Sequence, residues 1–222
     1  MILTEIFKSI QGESTFAGRP CIFIRLTGCN LRCTWCDTAY AFHGGSKYSL
    51  DEILAEVERL AGSSIRLAEI TGGEPLLQPE TPQLARRLLE DGFTTLIETS
   101  GESFIGVLPP EVVKIVDVKC PDSGECGTFA DKNLSALSKK DEIKFVIASR
   151  RDFEFACNFM SEHNLLALIG HIIFSPVFPD PAGTWPALEP RELAEWILAE
   201  GIPVRLGLQL HKFIWDPAMK GV

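Results

Sequence analysis

Three closely spaced cysteines are the residues of this sequence with the most evident capacity for chemistry. Cys29, Cys33 and Cys36 have the spacing Cys-x3-Cys-x2-Cys and directly follow a predicted strand. This spacing places three thiolates on one tight loop. A closed structural zinc site uses four ligands, whereas a cubane iron–sulfur cluster held by three cysteines keeps one iron open. The triplet therefore favours a cluster whose open iron binds a further ligand, such as the amino and carboxylate groups of a methionine.

A zinc site is the alternative, with Cys120 or Cys126 as the fourth thiolate. Zinc sites usually contain paired Cys-x2-Cys knuckles, which makes this alternative the weaker one. Cys120 and Cys126 are also too few by themselves to hold a second cluster. Together with Cys21 and Cys157 they are expected to be plain thiols.

Polar motifs also occur where predicted strands end. They are the segments 71–75 (Thr-Gly-Gly-Glu-Pro), 98–101 (Glu-Thr-Ser-Gly), 117–119 (Asp-Val-Lys) and 175–178 (Ser-Pro-Val-Phe). In parallel α/β sheets, the carboxyl ends of the strands and the loops after them carry the chemistry. We therefore expect these segments to share one site with the cysteine loop. Taken alone, Gly-Gly-Glu-Pro is more often only a turn, and a Glu or Lys at a strand end is an ordinary solvated charge.

The elements that position these motifs follow from the hydrophobic pattern. Strands are predicted at 21–27, 68–71, 94–98, 113–118, 142–148, 171–175 and 204–210. One helix is predicted to begin after Ser49, which forms a capping box with Glu52, and to end at Gly62. Another has Thr81 as its cap and ends at Gly92, and further helices are predicted at 131–137, 152–163 and 190–200. The stretches 39–47 and 176–190 are predicted to be irregular loops.

This alternation is typical of βαβ units and a mostly parallel sheet. It gives about six core strands and a terminal one, with no internal repeat and no Gly- or Ser-rich linker. The length of 222 residues falls short of a complete eight-stranded barrel, which takes ~250 residues. The predicted fold class is α/β, a partial barrel of the (β/α)6 type formed by a single domain over residues 1–222.

The composition indicates which class of ligand the protein binds and in which compartment of the cell it works. The 30 acidic and 21 basic residues give a net charge of −9, which repels a nucleic acid backbone and favours a small-molecule ligand. The N-terminus lacks the pattern of a signal peptide, and the apolar stretch 165–178 is broken by Gly170, His171 and Pro176. Seven cysteines without a secretion signal indicate a reducing compartment. We therefore expect a cytoplasmic protein that binds neither nucleic acid nor membrane.

The cysteine spacing, with Trp35 before the third cysteine, resembles the signature of the radical S-adenosylmethionine (SAM) superfamily. The resemblance implies an abridged radical SAM core, a [4Fe–4S] cluster on Cys29, Cys33 and Cys36, SAM, and an electron donor of the flavodoxin or ferredoxin type. By their positions, the motifs at the strand ends resemble the segments that bind SAM in this superfamily. The residues so implied are Gly72, Gly73, Glu74, Ser100, Asp117, Val118, Lys119, Ser175, Pro176, Val177 and Phe178.

Longer segments resemble one family within it, the 7-carboxy-7-deazaguanine synthases of the queuosine precursor pathway. These segments are 5–14, 36–38, 117–125 and 209–212, and the resemblance extends over essentially the whole chain. It implies a homodimer and the contraction of 6-carboxy-5,6,7,8-tetrahydropterin to 7-carboxy-7-deazaguanine with loss of ammonia. In that reaction a 5′-deoxyadenosyl radical takes the hydrogen from C6 of the pterin and later returns it, so SAM is regenerated.

Several residues suit the binding of such a substrate. The pterin edge needs donors and acceptors in one plane, and its carboxylate needs a cation, for which Arg25 has the fork geometry. Thr38 resembles the family's Mg²⁺ ligand. The expected substrate-binding residues are Ile10, Gln11, Gly12, Glu13, Arg25, Thr71, His211 and Pro217. Ser14 stands where many members of the family have glycine.

Plainer interpretations and two other classes of protein remain open. Arg25 can instead be a residue of a surface ion pair, and His211 can be a histidine that is merely packed or solvated. Thr38 can be an ordinary loop threonine. An activating enzyme for a glycyl-radical partner has the same cysteine spacing and a similar Gly-Gly-Glu-Pro segment. A non-catalytic scaffold that holds zinc or a cluster is the third hypothesis.

Overall fold

One mixed sheet runs through the chain in this computed structural model, which describes residues 1–180 and 182–222. Nine strands form the sheet in those two ranges: β1 Ile2–Ile10, β2 Pro20–Leu26, β3 Ser46–Lys47, β4 Leu67–Gly72, β5 Thr94–Thr99, β6 Val113–Asp117, β7 Glu142–Ile147, β8 His171–Pro176 and β9 Arg205–Leu206. Their spatial order is β3-β1-β2-β4-β5-β6-β7-β8-β9. The short strands β3 and β9 are at the two edges, so the sheet stays open.

The pairing of the strands confirms the predicted partial barrel. From β2 onward to β9 each neighbouring pair in the sheet is parallel, whereas β1 pairs antiparallel with both β2 and β3. The six core strands expected from the sequence are β2 and β4 to β8. Because the parallel strands all point the same way, the segments after them meet at one end of the sheet.

Helices connect most of the parallel strands and cover one face of the sheet, whereas the connections β5–β6 and β6–β7 contain only 3-10 turns. The helices are α1 Leu50–Ala61, α2 Thr81–Glu90, α3 Arg150–Glu162, α4 Leu165–Leu168, α5 Pro190–Glu200 and α6 His211–Ile214. Short 3-10 turns lie at Ala39–Ala41, Pro75–Leu77, Ile105–Val107, Pro121–Ser123 and Asp131–Ala136. None of the helices in the described ranges is both long and apolar enough to cross a membrane. The capping box of Ser49 and Glu52 at the start of α1 is confirmed.

Alternate residues of the parallel strands face two different environments, as strand geometry requires. On β2, Ile22, Ile24 and Leu26 pack into the large core beneath the helices. Cys21 and Phe23 point to the concave face, where they form a second cluster with Leu67, Leu96, Val113 and Ile115. This second cluster lies near the amino ends of the strands. The concave face therefore has an apolar floor, and its polar residues lie nearer the carboxyl ends.

The connection from β1 to β2, residues 11–19, folds back beneath this concave face. Phe16 packs against the second apolar cluster. Ser14 takes the left-handed backbone conformation, with φ of 60°, that favours glycine. Its hydroxyl accepts a hydrogen bond from the Phe16 N–H at 3.1 Å, which stabilises the turn without a glycine.

Several local predictions were wrong. Thr81 is the first residue of α2 rather than its cap, and its hydroxyl donates to the Pro75 carbonyl oxygen. The last strand contracts to β9, and the short helix predicted over 131–137 is a 3-10 helix over Asp131–Ala136. The stretch 39–47 contains a 3-10 turn and β3. In the predicted loop 176–190, Pro181 lies outside the described residues.

Candidate active site

The concave face of the sheet encloses a cavity of about 310 Å³. Its walls are the cysteine loop, the ends of the parallel strands, residues 10–13 and the C-terminal segment from Gln209 to Val222. The predicted site residues that line it are Ile10, Gln11, Gly12, Glu13, Arg25, Cys29, Cys33, Cys36, Thr38, Thr71, Gly72, Gly73, Glu74, Ser100, Asp117, Lys119, Ser175, Pro176, Val177, Phe178, His211 and Pro217. Val118 differs: its side chain is buried in the core beneath the helices, because it alternates with Asp117 and Lys119 along the chain.

The cysteine loop is held by backbone contacts to three neighbouring segments. The Gly28 N–H donates to the Ala41 carbonyl oxygen at 2.8 Å, and the Thr34 N–H donates to the Ser123 carbonyl oxygen at 2.9 Å. The Glu74 N–H donates to the Gly28 carbonyl oxygen at 2.8 Å. A Cβ atom at Gly73 would collide with that same oxygen, so a glycine is needed for this close approach.

The three thiols suit a cubane cluster better than a closed zinc site. Each is partly buried, and burial raises the pKa of all three, that of Cys33 to about 11, so a metal must displace their protons. Of the two candidates for a fourth thiolate, Cys120 is buried in the core and Cys126 is exposed. Neither of them lines the cavity beside Cys29, Cys33 and Cys36.

Glu74 joins the ends of β4 and β5. Its buried carboxylate accepts hydrogen bonds from the Thr99 hydroxyl at 2.7 Å and from the Ser100 N–H and hydroxyl, each at 2.8 Å. The Leu76 N–H donates a fourth at 3.1 Å. These contacts use the acceptor positions of the carboxylate, so Glu74 braces the loops that follow β4 and β5. Direct acceptance of an ammonium group by Glu74 stays a prediction.

Asp117 offers a vacant acceptor in the same region. Its Oδ2 atom accepts a hydrogen bond from Lys119 Nζ at 2.7 Å. Its Oδ1 atom is buried and has no hydrogen-bond partner among the described residues. Because a buried acceptor without a partner is costly, this oxygen is suited to a hydrogen-bond donor of a ligand.

Residues 11–13 are held between the strands and the C-terminal segment. The Gln11 side-chain amide donates to Glu69 through Nε2 and accepts from the Glu13 N–H through Oε1 at 2.8 Å. Glu13 accepts from Lys144 Nζ and from Gln209 Nε2, each at 2.9 Å. The Gly12 carbonyl oxygen accepts from the Leu210 N–H at 2.9 Å. These side chains are therefore fixed before a ligand binds.

Arg25 forms an ion pair and also faces the cavity. Its Nε donates to Glu5 Oε1 at 2.8 Å, and the Tyr40 hydroxyl donates to the same oxygen at 2.8 Å. The guanidinium lies 5.6 Å from the centre of the Phe7 ring. Within the described chain, hydrogen bonds engage only Nε, so the terminal nitrogens remain free for a carboxylate.

Thr38 and His211 lie where the C-terminal segment meets the cysteine loop. The Thr38 hydroxyl donates to Asp37 Oδ1 at 2.8 Å, and Lys212 Nζ donates to Asp37 Oδ2 at 2.6 Å. Burial would raise the pKa of Asp37, but Lys212 outweighs it and the pKa lies below its usual value. Burial lowers the pKa of His211 despite the nearby carboxylates of Glu13 and Asp37, so its imidazole is neutral at pH 7.

Comparison with known proteins identifies the family. The sequence model of the Radical SAM superfamily matches residues 23–116. The 7-carboxy-7-deazaguanine synthase of Koribacter versatilis is 55% identical, and the alignment covers 100% of both chains. The chain belongs to the 7-carboxy-7-deazaguanine synthase family. The 7-carboxy-7-deazaguanine synthase of Chlorobaculum tepidum is 42% identical, over 99% of this chain and 96% of the relative. The crystal structure of QueE from Escherichia coli matches with a TM-score of 0.73 at 27% identity, over 95% of this chain and 94% of that one.

Membership of the 7-carboxy-7-deazaguanine synthase family settles the cofactors: the chain is a radical SAM enzyme with a [4Fe–4S] cluster and SAM. In this member, sequence reasoning missed Glu69 and Lys144, two charged residues that line the cavity beside Glu98. Lys144 contacts Glu13 and Glu98, and lies 3.8 Å from Asp117. Burial raises the pKa of Glu69 well above its usual value, and the carboxylates of Glu98 and Glu13 add to this rise.

A signal for these residues exists in the sequence. Buried parallel strands usually read as continuous apolar runs. Glu69, Glu98 and Lys144 interrupt such runs at alternate positions, in register with Thr71 and Val146 on the same face. Charged residues with this periodicity in core strands point into the barrel, where the site lies.

Proposed function

We propose that this chain converts 6-carboxy-5,6,7,8-tetrahydropterin to 7-carboxy-7-deazaguanine with loss of ammonia, as a step of queuosine biosynthesis. The observation that carries the proposal is that Gln11, Glu13 and Arg25 line the same cavity as the three cysteines. A planar, carboxylated heterocycle needs in-plane hydrogen-bonding groups and a cation, and these side chains supply both. The full-length similarity to synthases of this name supports the same reaction.

When bound, the cluster and SAM supply the radical that removes a hydrogen atom from the substrate. The protein must hold them and exclude water. Cys29, Cys33 and Cys36 would hold the cluster. The SAM-binding set would be Gly72, Gly73, Glu74, Ser100, Asp117, the backbone of Val118, Lys119, Ser175, Pro176, Val177 and Phe178. The C-terminal segment, which lines the cavity from Gln209 to Val222, would keep water out.

The substrate would be oriented by contacts at both of its ends. Glu13 and the Gln11 amide would bind the pterin edge, together with the backbone of Ile10 and Gly12. The free guanidinium nitrogens of Arg25 would bind the carboxylate. Thr71, His211 and Pro217 complete the proposed substrate-binding set, and the neutral imidazole of His211 can both donate and accept a proton.

Mg²⁺ is proposed as a third cofactor, held by Thr38. The hydroxyl of Thr38 lines the cavity one residue from Asp37, close to the cysteine loop. Mg²⁺ keeps several waters and takes few protein ligands, so one hydroxyl with substrate oxygens suits it. Replacement of Thr38 by valine should then abolish the stimulation of product formation by Mg²⁺, while the wild-type protein shows it.

The remaining proposals concern the whole molecule. One sheet includes strands from Ile2 to Leu206, which supports a single domain over residues 1–222. Seven cysteines, three of them in the proposed cluster loop, favour work in the reducing cytoplasm, where thiols stay reduced. We also infer a homodimer, as the family resemblance implies. The electron donor is inferred to be of the flavodoxin or ferredoxin type, since the cluster must receive single electrons.

The decisive experiment is anaerobic reconstitution followed by incubation with SAM, a reductant and the carboxytetrahydropterin. The expected result is a deazapurine, identified by its ultraviolet spectrum and mass, with released ammonia and little net consumption of SAM. Slow cleavage of SAM without deazapurine would reject the substrate and favour a glycyl-radical activating enzyme. Reconstituted protein that holds no iron would reject the radical assignment and favour a scaffold.

A further inference from the structure

The connection of residues 11–19 reaches the cavity from the opposite end to the cofactor-binding loops. Ile10 pairs with Pro20 at the start of β2, so this connection begins at the amino ends of the parallel strands. Gln11 and Glu13 then reach polar partners on the concave face, as described above. The cysteine loop and the Gly72–Glu74 segment follow the carboxyl ends of β2 and β4. The connection is therefore an independent wall of the cavity.

A third polar contact of this connection lies outside the cavity. Thr15 donates to the Glu142 carboxylate through its backbone N–H, at 3.2 and 3.1 Å from the two oxygens, and through its hydroxyl at 2.5 Å. Glu142 is the first residue of β7, two residues before Lys144. Neither Thr15 nor Glu142 lines the cavity. This contact has no part in the proposed function as stated above.

The Glu142 carboxylate lies in an environment where it needs hydrogen-bond partners from the protein. Its side chain is fully buried. In the described part of the chain, the carboxylate forms no ion pair, and the Thr15 hydrogen bonds are its side-chain contacts with polar groups. A buried carboxylate is tolerated only where hydrogen bonds compensate its lost hydration. Glu142 therefore depends on Thr15, and the position of Thr15 depends on Glu142.

We propose that Thr15 and Glu142 are positioning residues: they fix where Gln11–Glu13 lie in the cavity and so determine the affinity for the substrate. Lys144 and Glu142 lie on the same face of β7, one holding Glu13 and the other Thr15. Two successive contacts on one strand fix both the place and the direction of the chain between them. Phe16 continues this attachment into the apolar floor. The inference rests on the proposed function, because it takes Gln11–Glu13 as the substrate-binding segment.

Thr15→Val tests the inference, since it removes the hydroxyl but keeps the shape of the side chain. We expect KM for the pterin to rise about tenfold, as for the loss of one hydrogen bond to a charged group, with kcat changed much less. Thr15→Ser restores the hydroxyl and should restore KM. Thr95→Val is the matched control: Thr95 is a buried threonine outside the cavity whose hydroxyl donates only to the Phe93 carbonyl oxygen. This control should leave KM unchanged.

A second measurement uses no substrate. Hydrogen exchange of the amides of residues 11–16 should be faster in Thr15→Val and in Glu142→Gln than in Thr95→Val or the wild type. An unchanged KM in Thr15→Val, or a KM that rises equally in Thr95→Val, would overturn the proposal. If the wild type makes no deazapurine, the proposed function fails. Faster exchange in the Thr15 and Glu142 variants would then still show the attachment of the loop, and unchanged exchange would reject that too.

Discussion

At the scale of single residues, the cavity is arranged before any ligand is present. Glu13 is fixed by Lys144 and Gln209, and the Gln11 amide is fixed in one orientation between Glu69 and Glu13. Arg25 is held through Nε alone by Glu5. Such preorganisation lowers the free-energy cost of ordering side chains when a ligand binds.

Arg25→Lys should show whether the guanidinium recognises a carboxylate. Lysine keeps the charge but lacks the planar fork, so KM for the pterin should rise by about 10- to 100-fold. The measurement is steady-state kinetics over a range of pterin concentrations. Arg59→Lys is the control, because Arg59 forms an exposed ion pair with Glu56 on α1. Equal KM values for wild type and Arg25→Lys would show that Arg25 pairs with Glu5 but does not bind the substrate carboxylate.

Glu69 should make stability depend on pH. Burial raises its pKa in the folded protein, so the folded state binds this proton more tightly than the unfolded state. Stability is then greatest below the unfolded pKa of about 4.5 and is lost as the pH rises toward the folded pKa. We expect Glu69→Gln to lose less unfolding free energy than the wild type does as the pH is raised above the unfolded pKa of Glu69. Parallel pH profiles from denaturant titrations would contradict this.

The positions of site residues were predictable where a motif was local. The cysteines and Gly72–Glu74 are contiguous segments, and the structure brings them to one cavity. Val118 was placed in the site with its neighbours because a motif does not by itself show which face each residue takes. Glu69 and Lys144 were missed because no motif contains them. They become visible only when the period of two along each strand is applied.

At the scale of elements, two segments far apart in sequence meet over Gly12. Residues 11–13 lie against α6, and a Cβ atom on Gly12 would collide with the His211 ring. Gly12→Ala should therefore displace the C-terminal segment and raise KM for the pterin about tenfold, since overpacking typically costs 1–3 kcal/mol, about one to two powers of ten. Kinetics and hydrogen exchange of residues 209–216 measure this effect.

A double variant distinguishes this collision from a general loss of stability. In Gly12→Ala/His211→Ala the ring is absent, so the added methyl group should cost much less than it does alone. Additive effects of the two substitutions on KM would show that Gly12 acts through its own backbone and that contact with His211 is unimportant.

Elements were predictable wherever hydrophobic periodicity was strong. α1 and the six core strands have clear patterns with caps or glycines at their ends, and the structure confirms them. β3 and β9, each of two residues, are too short to show a period. β1 was not predicted because its residues are mostly half-buried at the side of the sheet, where polar and apolar positions mix.

At the scale of the whole molecule, SAM should stabilise the reconstituted protein. Its proposed site joins the ends of several strands, so binding is linked to global unfolding. SAM at about 100 times its dissociation constant adds ~2.7 kcal/mol, and for a chain of this size that corresponds to a rise in Tm of roughly 5–10 °C. Differential scanning calorimetry under anaerobic conditions measures this. Cys33→Ser, which removes a predicted cluster ligand, should reduce the rise; the same rise without the cluster would place SAM elsewhere.

The proposed site draws on both ends of the sheet. The residues assigned to radical generation follow the carboxyl ends of the strands, whereas Gln11–Glu13 arrive from the amino ends on a single hairpin connection. A change in the length or sequence of that connection can alter which molecule is accepted without rebuilding the cluster loop. For protein engineers, this hairpin is therefore the segment in which to vary residues when a new substrate is wanted from the same radical chemistry. Natural divergence among related enzymes has the same route open to it.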